Sequence, residues 1–182
     1  AEGGPQDVAA VIAGDLQLSG RFKPLERRDL VARPTRGEQV RFEDWRLLKS
    51  DFLVIGHVAP DASGLAVEFE LFNVQTGQQL LTKRLVTSER GLRATAHRIA
   101  DLIFERLTGI PGAFSTRIAY VAVDGRPPKQ RYRLMVADAD GYGPRIVTES
   151  SEPIMSPAWS PDGQSLAYVS FEGKESAIYV QR

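Results

Sequence analysis

The chain has 182 residues with 23 basic and 23 acidic side chains, balanced in both halves: 15 of each sign in residues 1–112 and 8 of each in 113–182. Proteins that live on a phosphate backbone carry a basic excess, so nucleic-acid binding through bulk charge is disfavoured. No apolar run approaches the roughly 18 residues of a spanning helix; the lack of cysteine excludes disulfides, thiolate metal sites and cysteine nucleophiles; and histidines only at 57 and 97 exclude a site built on three.

Ala1-Glu2-Gly3-Gly4 has neither a basic start nor an apolar stretch, so any signal peptide is expected to have been removed or never to have been there. Pro5 suits a first helical turn. Val8, Val11, Ile12 and Leu16 recur at three- and four-residue spacing, and Ser19-Gly20 supplies the stop. A short extended piece follows at 22–26, weakened by Pro24. Residues 27–41 have loop composition, and 42–48 predict a short helix.

Three strands come next. Phe52-Leu53-Val54-Ile55 is a continuous apolar run, which predicts a strand covered on both faces. Leu65, Val67, Phe69 and Leu71 alternate with Ala66, Glu68 and Glu70, the period of a half-exposed strand. Turns at 61–64 and Thr76-Gly77 and a third strand at 80–87 make a meander the economical topology. A long helix is predicted over 90–108, with Leu92, Ala96, Ile99, Ile103 and Leu107 as its stripe and Ala100 and Phe104 widening it. Gly109, Pro111 and Gly112 end it and mark a domain boundary, dividing residues 1–112 from 113–182.

Beyond that point the chain reads as short strands and turns: 117–121, 132–137 and 145–148. Ile118-Ala119-Tyr120-Val121 recurs 48 residues later as Leu166-Ala167-Tyr168-Val169, each copy followed by a hairpin and another strand. A strand-built repeat of about 40–50 residues points to propeller blades. Between the copies lies Met155-Ser156-Pro157-Ala158-Trp159-Ser160-Pro161-Asp162-Gly163, whose Pro-Asp-Gly is a turn: Pro presets φ, Asp bonds nearby backbone and Gly accepts positive φ. A strand at 177–180 then stops without a turn, which suggests a piece of a longer protein.

The run 156–163 followed by Leu166-Ala167-Tyr168-Val169 resembles the blade repeat of TolB-type propellers. The stretch 104–121 resembles the junction between the α/β domain and the propeller in that family, Asp138-Ala139-Asp140-Gly141-Tyr142 and 155–159 continue the likeness, and residues 13–22 resemble the family's first helix and following strand. The fold implied is an α/β domain, a small mixed sheet with two main helices, followed by the first one to two blades of an incomplete β-propeller. The resemblance implies a non-enzymatic periplasmic component of the Tol-Pal envelope system of Gram-negative bacteria. Its implied partners are the lipoprotein Pal, bound mainly through the propeller, TolA, reached through the N-terminal region, and other outer-membrane proteins. Nucleic acid and membrane insertion are not implied; outer-membrane integrity, constriction at division, protein transport and colicin import are. Relative to the family, the segment used towards TolA and the first strand are expected to be missing before Ala1, and most of the six-bladed Pal-facing surface to be missing after Arg182.

Each candidate site also has a plain reading. His57 and His97 would need a positioned partner to act as base or ligand, and packing or surface roles are the expectation. Asp138, Asp140, Gly143 and Glu149 fall at positions 1, 3, 6 and 12 of a calcium loop, but Tyr142 stands where an oxygen ligand is wanted and strands flank the loop, so a hairpin is expected. Ser156 and Ser160 read as turn residues, Trp159 as core, and Arg27, Arg28, Arg33, Arg36 and Arg41, interleaved with Asp29, Glu38, Glu43 and Asp44, as a solvated loop. No phosphate-loop, nucleophile-elbow or zinc-helix motif is present, so no catalytic residue, metal ligand or cofactor is assigned, and partner contacts remain unassigned. The competing functions are a propeller guarding a hydrolase, marked by a nucleophile elbow elsewhere in the protein, and a nucleic-acid-binding α/β domain, marked by salt-sensitive RNA affinity.

Overall fold

The computed structural model describes residues 7–182, so the expectation placed on Pro5 lies outside the described residues. The chain divides into two compact units, Ala1–Ser115 and Thr116–Arg182.

In the first unit, α1 (Val8–Leu18) starts at Asp7, whose carboxylate accepts the Ala10 N–H at 3.3 Å. It stops at Ser19-Gly20, with Gly20 at φ 70°. The 22–26 stretch is irregular and enters no ladder; Pro24 has no N–H to give one. Residues 27–41 form a loop with two single-turn 3-10 segments, Arg27–Asp29 and Gly37–Gln39. Then comes α2 (Phe42–Leu47), whose Arg46 donates to the carbonyls of Val74 and Gln75 at 3.1 and 3.2 Å.

Strands β1 (Phe52–Asp61), β2 (Gly64–Asn73) and β3 (Gln79–Thr87) form an antiparallel meander with β2 central. The described sheet is antiparallel throughout where a mixed one was expected. Its three strands are joined by short turns, and a parallel pair would need a crossover of a dozen or more residues. Both faces are covered. Val54, Val67, Phe69 and Leu71 pack with α1 and the long helix α3 (Leu92–Thr108). Leu53, Ile55, Phe72 and Val74 pack with Trp45 of α2 and with Leu30 and Val40 of the loop. The outer face of β2 is accordingly less open than its alternation suggested: the 35–38 loop lies over it, and Glu68 and Glu70 are half-buried. Gly37 makes that approach possible, because a Cβ there would come within 3.0 Å of both Glu70 and Phe72 side-chain atoms. In α3 the expected stripe faces the core, with Ala96, Ile99, Ala100 and Ile103 fully buried, and Gly109 closes the helix at φ 73°.

The second unit holds two three-stranded antiparallel sheets: β4 (Arg117–Asp124), β5 (Arg131–Asp138) and β6 (Arg145–Ser150), then β7 (Ile154–Trp159), β8 (Leu166–Ser170) and β9 (Ala177–Gln181). They share one core, in which Leu134 and Val136 meet Ile154, Leu166 and Tyr168. The sequence repeat sits in β4 and β8, which are the edge of one sheet and the centre of the other. Superposing the copies sets β7 before the repeat strand and β6 after the hairpin partner. Together the two sheets therefore describe one four-stranded unit, the size of a propeller blade.

Leu71 is fully buried on β2 while Leu18, at the end of α1, is 68% exposed. Leu71→Ala is expected to destabilise the first unit by about 2–5 kcal/mol, and Leu18→Ala by no more than about 0.5 kcal/mol. Urea unfolding followed by circular dichroism measures both.

Candidate functional site

The two histidines lie on opposite sides of the first unit's sheet. His57, on β1, shares a face with Glu68, its Nε2 3.6 Å from Glu68 Oε2. His97, on α3, is buried, and its Nδ1 stands 2.6 Å from Oδ2 of the equally buried Asp15 of α1. Sequence periodicity put His97 off the helix's main stripe. In the structure it is part of the buried helix face, because α1 crosses α3 there and Asp15, one residue before the apolar Leu16, provides a polar partner. A buried polar group needs such a partner. The pair is a polar joint between two helices and is separated from His57 by the sheet.

On the opposite face the strands carry a lattice of charges. Arg84 of β3 pairs with Glu68 across the ladder, Nε to Oε1 3.1 Å, and with Asp61 at the end of β1. The Ser63 N–H and hydroxyl donate to Asp61 at 3.1 and 2.8 Å. The Ser63 amide first, then Arg84, then the Ser63 hydroxyl hold the Asp61 carboxyl down from an ordinary 3.8 to about 2. Glu70 accepts from the Gly37 N–H at 3.0 Å and the Gln79 amide at 2.8 Å. Between this lattice and the 35–38 loop lies an open groove of about 520 Å³ in which Arg36, Lys83 and Arg84 face Glu38, Glu68 and Glu70. Within it Arg84 pairs with Glu68 across the ladder and Glu70 is held by the Gly37 amide and Gln79, so the groove reads as a polar cross-strand network bracing the meander.

In the second unit the calcium-loop residues are parts of a hairpin. The Asp138 N–H donates to the Tyr142 carbonyl at 3.0 Å, the Gly141 N–H to the Asp138 carbonyl at 2.8 Å, and Gly141 and Gly143 have φ of 84° and 61°. Glu149 lies out along β6, paired with Arg131 at 2.5 Å. Ser160 closes the next turn, accepting the Ser165 N–H at 2.9 Å and donating to Asp162, which lowers the Asp162 carboxyl below its usual range. Ser156, at φ 52°, sits in the irregular part of the β7–β8 pairing. Trp159 packs against the shared core, and the Arg117 guanidinium lies 4.7 Å from its ring centroid. Of the loop arginines, Arg27 pairs with Asp7, Arg28 with Glu26 at 2.8 Å and Arg41 with Asp44 at 3.9 Å, all exposed, as a solvated loop requires.

A small α/β unit followed by sheets that pack as blades defines a propeller-bearing protein of the TolB class. The family model described as TolB amino-terminal domain matches residues 1–80, and that described as TolB beta propeller domain matches residues 104–182. The chain belongs to the TolB family. It is 48% identical over 176 residues to the Tol-Pal system protein TolB of Xanthomonas campestris pv. campestris strain B100, and 47% identical to that of Xanthomonas oryzae pv. oryzae strain PXO99A. These alignments cover 96% of this chain and 40% of each relative, so the chain spans well under half the length of the curated relatives it matches. The crystal structure of TolB from Acinetobacter baumannii is similar with a TM-score of 0.87 at 40% identity, covering 97% of this chain and 44% of that one. Among the described residues no helix is long and apolar enough to cross a membrane.

Two measurements follow. Asp15→Ala removes the 2.6 Å partner of buried His97 and is expected to cost about 1–3 kcal/mol, with Asp15→Asn costing less because its amide oxygen still accepts; urea midpoints test the order. Asp61 has a folded-state pKa below its unfolded one, so its contribution to stability is full above about pH 4 and is lost as pH falls through about 2. Thermal melts between pH 5 and 2 are expected to show a smaller acid-induced drop in Asp61→Asn than in the parent chain.

Proposed function

We propose that the chain acts as a non-enzymatic scaffold of the Tol-Pal envelope system in the periplasm. In this reading its propeller portion contributes to binding Pal, its N-terminal region to communication with TolA, and the assembly to outer-membrane integrity and constriction at division. The observation that supports it is the tandem match of amino-terminal and propeller models along one chain, at 48% identity to a Tol-Pal system protein. Physical form agrees: blades give a rigid frame, and their loops offer a broad surface for other proteins. Residues 1–112 are taken as the amino-terminal domain and 113–182 as the propeller portion, with no side chain assigned to catalysis and no cofactor.

The chain covers 40% of its relatives' length, so the test uses the polypeptide extended to that full length. Calorimetric titration with the soluble domain of Pal, and separately with that of TolA, is expected to give saturable binding. Absence of binding to both overturns the reading, as does RNA affinity that falls steeply with salt.

A further inference from the structure

The 48-residue repeat sets one four-residue pattern into both sheets of the second unit, yet the two copies bury opposite phases of it. Successive residues of a strand point to opposite faces. In β4 the inward pair is Ala119 and Val121, packed on the shared core, which leaves Ile118 and Tyr120 on the outer face at 40% and 36% exposure. In β8 the inward pair is Leu166 and Tyr168, both buried, which leaves Ala167 and Val169 on the outer face. The contact between the sheets is therefore made by two unlike faces, the Ala-Val phase of one and the Leu-Tyr phase of the other.

Each sheet still carries the half of that contact it has not used, and each free half is widened by its cross-strand neighbours, which share its face. On the first sheet Tyr120 pairs in register with Met135, and Met135 with the exposed Ile146. On the second, Val169 stands between Met155 and Ile178, and Ala167 beside Val180. Ile178 and Val180 are 77% and 70% exposed. Apolar patches of this kind mark interaction sites. The charges on the first face are matched among themselves, Arg133 with Asp124 and Arg131 with Glu149 at 2.5 Å, so they form a polar rim beside the apolar part.

We propose that these two outer faces are the halves of a head-to-tail interface between copies of this chain. The Ile118–Tyr120 face of one copy seats on the Val169–Ile178 face of the next, as the Leu166–Tyr168 face seats on the β4–β5–β6 sheet within a single copy. The repeat is what names the occupant: the two free faces are the sequence equivalents of the two already in contact. Because they differ, the contact is heterologous, so every copy added presents a fresh face and association runs past the dimer.

Light scattering on the whole chain as it leaves a sizing column tests the interface. The parent's mass is expected to rise with concentration from the monomer's 20.1 kDa to beyond the dimer. Ile118→Glu spoils one face and Ile178→Glu the other, and each variant alone is expected to stay at the monomer mass, because only one kind of face survives in the population. Mixed in equal amounts they contribute one intact face each, so a single species of twice the monomer mass is expected and nothing larger. Val31→Glu, at an exposed apolar position of the first unit's loop, is expected to associate as the parent does. A parent that stays monomeric up to its solubility limit overturns the proposal, as does a single face variant that still associates or a mixture that remains monomeric. Should either variant lose the parent's circular dichroism, Ile146→Glu and Val180→Glu on the same two faces must give the same pattern; if they do not, the interface is refuted. Neither Pal nor TolA enters the measurement, so its failure leaves the scaffold reading standing.

Discussion

Burial of one face of β2 beneath α3 is the contact on which the first unit rests. A three-stranded meander has little stability of its own and needs an apolar face covered. Val67, Phe69 and Leu71 supply that face, and Ile99, Ala100 and Ile103 cover it with almost no exposed surface. α1 reaches the same core through Ile12 and Leu16, so both helices are fixed by one apolar layer. Everything polar near the layer is arranged around it. Asp15 and His97 pair at its edge, where two helices cross, and Asp101 sits further along α3 and turns outward to accept the Phe114 N–H.

The other face of the sheet solves a different problem. One end is apolar, where Leu53, Ile55 and Phe72 take Trp45; the other carries Glu68, Glu70 and Arg84. Charges on a covered sheet face must be matched, and here the match is made across the ladder and by the backbone of a loop that a glycine allows to approach.

The second unit obeys the rule of repeat proteins, in which each small sheet buries its face against the next. The common core of Leu134, Val136, Ile154, Leu166 and Tyr168 is that interface. A frame of this kind displays turns, such as those at 138–143 and 160–165, without requiring any of them to be reactive.

Local periodicity specifies most of the architecture. The stripe of α3, the alternation of β2, the apolar run of β1, the glycine stops at 20 and 109 and the blade repeat are all short-range patterns, and short-range patterns follow from the geometry of helix and strand. Three features were beyond such reading. His97 meets Asp15 across 82 residues of sequence, Gly37 reaches Glu70 across 33, and Asp101 takes the amides of Phe114 and Ser115 only because the chain reverses after Gly109. A single Asp or Gly carries no periodic signal, and its role exists only once packing has brought a distant donor to it. The antiparallel sheet belongs to the same class, since strand direction is set by how the connections close in space. The sequence by itself therefore determined which segments are helices, strands and repeats, because those depend on neighbours in the chain; the tertiary structure alone decided which polar groups meet, because that depends on neighbours in space.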